Sequence, residues 1–319
     1  MTLAGHDQAW HEWRAALGSA RMHHAWILGG VRGVGKGAFA RAAARELVAE
    51  SGVPQPEGDH HPDIIVLDHL PLNDDEEKKR ADGKPFQLKR NITIDQIRRM
   101  QQRLTTRPTL GSRRAVIIDP ADDLERHAVN ALLKSLEEPP AGTFFLLVAH
   151  RPGRLLPTVR SRCRIVHFAE LDAQAIDTIL QNQAPEADAP SRAAAIAAAG
   201  GSPGAALDFV ARDLGRLHAL MGRILAEGDS QMALRGELAN AMGARPDRER
   251  LLAALDLARS LLATEFAVAP RERQLGLIAA HGDVVRLAAQ APTYNFDANL
   301  LVLEIGHLLA SVTMPREAA

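Results

Sequence analysis

At 319 residues the chain is long enough for two or three domains, each with its own core. Hydrophobic residues make up 46% and charged residues 24%, which excludes a disordered chain, and a net charge of −1 excludes the global positive field of a stand-alone nucleic-acid binder. A single cysteine, Cys163, excludes a disulfide framework and any multi-cysteine metal site, and the absence of a signal segment or a bilayer-length apolar run leaves a cytoplasmic protein with no membrane partner as the expectation.

Taken in chain order, Trp10, Trp13 and Leu17 fall at helical spacing and predict a helix over residues 7–17. Ala25-Trp26-Ile27-Leu28 is a short apolar run ending in glycines, a buried strand, and residues 38–49 read as helix. Residues 63–67 form a second strand. A charged stretch over 70–90 follows, with prolines at 71 and 85, and is expected to be a mobile loop. Thr93-Ile94-Asp95-Gln96 is a capping-box pattern that starts a helix running to about Thr106. Residues 114–119 are a third strand, 125–138 a helix stopped by Pro139-Pro140, 143–149 a fourth strand and 164–168 a fifth.

Strands alternating with helices imply a parallel sheet with helices on both faces. Beyond Leu171 the strand signal disappears. Short helices are expected over 173–180, 191–199 and 203–214, and longer amphipathic ones from Gly215 onward, with Leu251, Leu255, Ala258 and Leu262 on one face and Leu301, Ile305, Leu308 and Val312 on another. The expected plan is an α/β domain over 1–170, a small helical domain over 171–214 and an all-α domain over 215–319.

The chemistry begins at Gly30-Val31-Arg32-Gly33-Val34-Gly35-Lys36-Gly37. This is the spacing of a phosphate-binding P-loop as far as its lysine: backbone N–H groups turn inward at a helix N-terminus, and Lys36 reaches the outer phosphates. A working loop ends in Ser or Thr, whose hydroxyl ligates Mg²⁺; here the position is Gly37. Asp119 ends an apolar strand as a Walker B acid does, yet the neighbouring position that should carry a catalytic carboxylate is Pro120. Asp122 and Asp123 lie further along and are expected to cap the helix that begins near Leu124. Gly30, Gly33, Gly35, Lys36 and Asp119 thus outline a degenerate nucleotide site, with weak or vestigial ATP or ADP binding left open and hydrolysis weak or absent. An autonomous ATPase that tolerates Gly37 stands as the competing interpretation.

Residues 155–163 end in Arg160-Ser161-Arg162-Cys163. Alone, Arg160, Arg162 and Arg164 read as a basic strand edge forming surface pairs. Together with the degenerate P-loop and the stretch Asn130 to Pro140, which ends in Leu136-Glu137-Glu138-Pro139-Pro140, the chain resembles the AAA+ clamp-loader family of bacterial DNA polymerase III. The resemblance is motif-rich from about Gly5 to Leu207. It implies an AAA+ P-loop domain followed by a lid and a helical collar. It also implies membership of a hetero-oligomer with motor subunits and a clamp-opening subunit, acting on a sliding clamp and primed DNA.

In that family the Ser-Arg-Cys arginine enters the next subunit's ATP site. The resemblance gives that role, an arginine finger supplied in trans, to an exposed Arg162 flanked by Ser161 and Cys163. Guanidinium suits the task because it is always charged, planar and forked.

Many relatives carry a four-cysteine zinc module; residues 51–62 here hold no cysteine, so no zinc is expected, and His60 and His61 read as loop residues. Gly201-Ser202-Pro203-Gly204 lacks the second-sensor arginine of motor subunits, and Ala149 replaces the usual polar sensor side chain, which together imply a non-motor subunit. Cys163 is expected to pack rather than react. Between Lys78 and Arg114 there are twelve Lys or Arg against two acidic residues. Within that stretch Arg98, Arg99 and Arg103 could meet DNA phosphates, or simply form a solvated helix face.

Overall fold

The structure, a computed structural model, describes residues 5–313 except 20, 57, 59, 245, 247 and 292–295. The outermost residues of the first and third expected domains, and two positions of the 51–62 loop, therefore lie outside the described residues. The chain divides into two compact units, Met1–Glu170 and Leu171–Ala319.

The first unit opens with α1, Asp7–Leu17. Then come β1, Ala25–Gly29, and α2, Lys36–Val48. Next are β2, Ile64–Leu67, α3, Asp74–Ala81, α4, Ile94–Leu104, and β3, Arg114–Ile118. The unit closes with α5, Arg126–Glu137, β4, Thr143–Ala149, α6, Pro157–Arg160, and β5, Arg164–His167. The five strands are parallel in the order β2-β3-β4-β1-β5. The central strands β1 and β3 are buried along their whole length, as a strand covered on both faces must be.

Alternation along the strands feeds two separate cores. Ala25, Ile27, Val116, Ile118, Phe145 and Leu147 face α4 and α5, through Ile97, Met100, Leu132 and Leu136. Trp26, Leu28, Ala115, Ile117, Leu146 and Val148 face α1 and α2, through Trp13, Phe39, Ala43 and Leu47. The Trp13 and Trp26 rings meet edge to face at 5.4 Å, which fastens α1 to the sheet.

The stretch over 70–90 departs from the expected loop: it contains α3. The helix is polar all round, so hydrophobic periodicity gave no sign of it. Local chemistry holds it instead. The Asn73 side chain accepts from the Glu76 N–H at 3.0 Å, four acidic residues occupy the first turn, and Lys78, Lys79 and Arg80 the last. Glu76 is buried and accepts from Lys79 Nζ and from the Gln87 N–H, both at 2.7 Å, tying the helix to the returning chain. The Thr93 capping box is present as the spacing predicts, with Gln96 Oε1 accepting from the Thr93 N–H at 3.0 Å.

The second unit is helical throughout its described residues. It contains α7, Ala173–Gln183, α8, Ala189–Ala198, α9, Pro203–Ala211, and α10, Gly215–Glu227. These are followed by α11, Ala233–Met242, α12, Arg248–Val268, α13, Arg271–Gln290, and α14, Ala298–Ala310. Asp172, Asp188, Ser202 and Asp297 cap their helices by accepting backbone N–H bonds. One continuous core runs from Ile176 to Val312 and includes Leu255, Ala258, Leu262, Leu301, Ile305 and Leu308. Described residues on either side of the expected boundary at 214/215 share that core. Val268 and Leu275 nevertheless remain more than 70% exposed, and Ile278 and Leu300 are exposed too. No helix among the described residues is long and apolar enough to cross a membrane.

Candidate functional site

The C-terminal ends of β3 and β4, together with the glycine loop and the start of α2, surround a cavity of about 440 Å³ lined in part by Gly33, Gly35, Lys36, Gly37, Asp119 and His150. Ligands of open parallel sheets sit at this end of the strands. Gly33 and Gly35 have φ of 78° and 111°, values that L side chains rarely adopt, so the loop can expose its backbone N–H groups only with glycine at both positions. Gly35 is also the N-cap of α2. Lys36 is buried, and its Nζ donates to the carbonyls of Gly30 at 2.7 Å and Val31 at 2.6 Å. Burial pushes its ammonium down to about 8, against the opposing pull of Asp119 and Asp122.

Gly37 and Asp119 are brought together, in an arrangement that differs from that of a metal site. A Cβ added at Gly37 would lie 2.5 Å from Asp119 Oδ2, so the carboxylate stands against the space a Ser or Thr side chain would need. Asp119 Oδ2 is in turn 3.5 Å from Arg41 Nη1, and the same Nη1 donates to the Gly37 carbonyl at 3.2 Å. Mg²⁺ demands several oxygens in near-octahedral array. Here the hydroxyl oxygen is missing and the Asp119 carboxylate is paired with a cation from the chain itself. The donor set does not fit Mg²⁺.

Arg41 was not visible as a site residue in the motif. Its signal was positional: it lies four residues after Gly37, one turn along the same helix face, which is the place from which a side chain can reach the position a hydroxyl would occupy.

Asp122 and Asp123 do not cap a helix. Asp122 accepts from the His150 N–H at 2.5 Å and the Arg151 N–H at 2.9 Å, bonding the end of β3 to the end of β4. Asp123 Oδ2 lies 3.2 Å from His69 Nε2. The next helix, α5, starts later, at Arg126, and its N-cap Glu125 makes no side-chain capping bond. The two oxygens of Asp122 are turned toward the backbone just beyond β4, and no capping bond to its own segment accompanies them. His150 is kept low in pKa by burial and by nearby Lys36, and its Nδ1 is buried without a hydrogen-bond partner among the described residues.

Arg162 lies outside that cavity's lining, in the turn between α6 and β5. It was expected to be exposed and is half-buried instead. Its Nη2 lies 2.7 Å from Glu137 Oε1 at the end of α5, while Nη1 donates to the Thr158 carbonyl at 2.9 Å and to Ser161 Oγ at 3.3 Å. Ser161 Oγ itself donates to the Thr158 carbonyl at 3.2 Å. Cys163 packs beside the core formed by α4 and α5, and burial pushes its thiol up to about 12. The three arginines of this stretch differ: Arg164 lies 4.9 Å above the Trp26 ring and 3.5 Å from Glu12, whereas Arg160 Nε is buried and unpartnered among the described residues.

On α4, Arg98, Arg99 and Arg103 are all exposed. Each also bonds within the chain: Arg98 to Asp95 at 3.5 Å, Arg99 to the Asp95 carbonyl at 3.4 Å and Arg103 to the Pro62 carbonyl at 3.1 Å. His61 is not a loose loop residue. Its Nε2 pairs with Gln55 Oε1 at 2.9 Å and its Nδ1 accepts from the Asp63 N–H at 3.0 Å.

A family model described as DNA polymerase III, delta subunit, matches residues 5–172. DNA polymerase III subunit delta' of Pseudomonas aeruginosa is 32% identical over 211 residues, covering 60% of this chain and 59% of that protein. Its counterpart from Escherichia coli K12 is 32% identical over 208 residues, covering 60% and 56% respectively. DNA polymerase III subunit tau of Salmonella typhimurium is 34% identical over 161 residues, half of this chain but 24% of the longer protein. The chain thus matches somewhat over half the length of the delta' relatives. Among solved structures, a DNA polymerase III gamma subunit-related protein from Thermotoga maritima aligns over 95% of this chain and 99% of its own, with 19% identity and a TM-score of 0.50. That likeness concerns the fold alone, a parallel α/β unit with a helical C-terminal region.

Proposed function

The chain belongs to the DNA polymerase III delta subunit family, and from that premise we propose that it is a non-motor, delta prime-type clamp-loader subunit that lends Arg162 to the ATP site of a neighbouring subunit. Its own pocket hydrolyses nucleotide weakly or not at all. The assembly opens a sliding clamp and places it on primed DNA, and the C-terminal helices help hold the subunits together.

The observation that carries this reading is the contrast between the two sites. In the pocket, Gly37 offers no metal ligand and Asp119 is paired with Arg41, so the groups that would polarise a γ-phosphate and orient water are missing. At the α6–β5 turn, Arg162 stands half-exposed with only a solvent-accessible carboxylate and local oxygens as partners. A guanidinium held in that way can exchange Glu137 for phosphoryl oxygens at small cost, because both partners remain hydrated until the exchange. In a transition state with charge spread over three oxygens, such an arginine supplies stabilisation that water cannot. The exposed Val268, Leu275, Ile278 and Leu300 of the second unit support an assembly role for α12 to α14.

The test is the DNA-stimulated ATPase of the reconstituted complex. Arg162→Ala should leave assembly intact and lower turnover by about a thousandfold. Unchanged ATPase and clamp loading would overturn the Arg162 assignment. ATP hydrolysis by the purified chain alone, abolished by Lys36→Ala, would instead identify an autonomous ATPase.

A further inference from the structure

The degenerate pocket retains everything needed to hold a phosphate chain except a place for the metal. Two loop glycines with positive φ present backbone N–H groups at the N-terminus of a thirteen-residue helix. Lys36 Nζ uses two bonds on the loop's own carbonyls; an ammonium has three donors. Where a divalent cation would bridge the carboxylate and the phosphates, Arg41 does the bridging on the protein side. It contacts Asp119 Oδ2 and the Gly37 carbonyl, both through Nη1. A guanidinium has five N–H donors in a planar fork, and Arg41 lines the cavity with its side chain half-exposed. Its remaining donors are suited to a phosphate oxygen in the bidentate manner that favours arginine over lysine.

We propose that this pocket binds the phosphate chain of a nucleoside di- or triphosphate without a divalent cation, Arg41 taking the cation's place between Asp119 and the phosphates.

Two features favour a built-in cation over a merely damaged metal site. First, Asp119 does not point into empty space left by the missing hydroxyl; its Oδ2 lies where a Gly37 side chain would collide with it, so the aspartate and the glycine fit each other. Second, Arg41 follows Gly37 by four residues on a helix whose N-terminus is the phosphate cradle, so the guanidinium is anchored to the same rigid element as the loop. Mg²⁺ held by Asp119 would have to displace Arg41 from that carboxylate and sit close to its positive charge. The inference concerns the chain's own pocket and is independent of the role given to Arg162.

Calorimetric titration of the full chain with ADP, ATP and inorganic tripolyphosphate, each in excess Mg²⁺ and in excess EDTA, tests it. Affinity for ADP and ATP should agree between the two conditions within about threefold, and Arg41→Met should weaken binding by about tenfold or more in EDTA, the loss of one charge-assisted bond. Arg41→Lys should recover part of that loss, since the charge returns without the fork. Arg41 is exposed enough for these variants to fold, which circular dichroism checks. The proposal is overturned if Mg²⁺ tightens binding by about tenfold or more, if Arg41→Met binds as the parent does, or if neither nucleotide binds at millimolar concentration. It is likewise overturned if ATP binds in EDTA but tripolyphosphate does not, because every contact invoked is to phosphate.

Discussion

Arg162 Nη2 lies 2.7 Å from Glu137 Oε1, so the last turn of α5 holds the arginine of the α6–β5 turn. The two residues belong to separate motifs, Leu136-Glu137-Glu138-Pro139-Pro140 and Ser161-Arg162-Cys163, and the pairing gives those motifs a common task. The side chains are 35% and 49% exposed, so water screens the pair and its contribution to folding is small. Its value lies in orientation: the Thr158 carbonyl fixes one side of the guanidinium and Glu137 the other. Glu137→Gln and Arg162→Ala should each change the free energy of unfolding by less than about 1 kcal/mol. Urea denaturation measures this, and a loss of about 3 kcal/mol for either variant would make the pair a structural element instead.

Cys163 gives a chemical readout of the same turn. Burial holds the thiol at about 12, so at pH 8 the reactive thiolate is scarce in the folded protein. Reaction with a chromogenic disulfide reagent should be slow in native buffer and fast in denaturant. Equal rates in the two conditions would mean that the thiol is neither buried nor shifted.

Lys36 should leave a signature in the pH dependence of stability. Its ammonium is lowered from 10.5 to about 8 in the folded chain, chiefly by burial. Below pH 8 both folded and unfolded chains carry the proton, and the folded state bears the full cost of a buried charge. Between pH 8 and 10.5 the unfolded chain binds more protons than the folded one, so stability rises with pH. Against Lys36→Met, which does not titrate, the parent should therefore be less stable by a constant margin below pH 8. That margin should narrow by on the order of 1 kcal/mol per pH unit above it. Denaturation of both proteins at pH 7, 8, 9 and 10 measures the margin. A margin that stays constant to pH 10 would mean the lysine is not shifted.

Much of the first unit was legible because its signals are local. Apolar runs bounded by glycine marked the strands, Thr93 and Gln96 marked a helix start, and Pro139-Pro140 an end. What was not legible depends on partners distant in sequence. Helix α3 has no apolar face to betray it and is anchored through Glu76 to the backbone of Gln87. Asp122 looked like a cap because Leu124 and Glu125 follow it, but its partners are the N–H groups of His150 and Arg151, across the sheet. The P-loop revealed that Gly37 lacks a hydroxyl; that Arg41 and Asp119 close over the gap required two segments 78 residues apart to meet.

The basic stretch ending at Arg114 separates in the structure into two kinds of arginine, and they should behave oppositely. Arg114 is buried at the start of β3. It donates to the carbonyls of Arg103 at 2.6 Å, Thr106 at 3.0 Å and Arg107 at 2.8 Å, closing the C-terminal end of α4. Its Nη2 is also 3.7 Å from the buried Asp63, whose carboxylate accepts from the N–H groups of Thr109 and Leu110. Arg114→Met leaves three carbonyls and a buried carboxylate short of a partner and should cost about 3 kcal/mol or more. Arg98, Arg99 and Arg103 are exposed on α4, and replacing all three with Gln should cost less than about 1 kcal/mol. If they meet DNA phosphates in the assembled complex, the triple variant should reduce the salt dependence of DNA binding by a slope of about 0.9 for each lost contact. Binding measured across a series of salt concentrations decides the matter. An unchanged slope with unchanged stability would leave these arginines as a solvated face, and the DNA contacts of the complex would have to come from elsewhere.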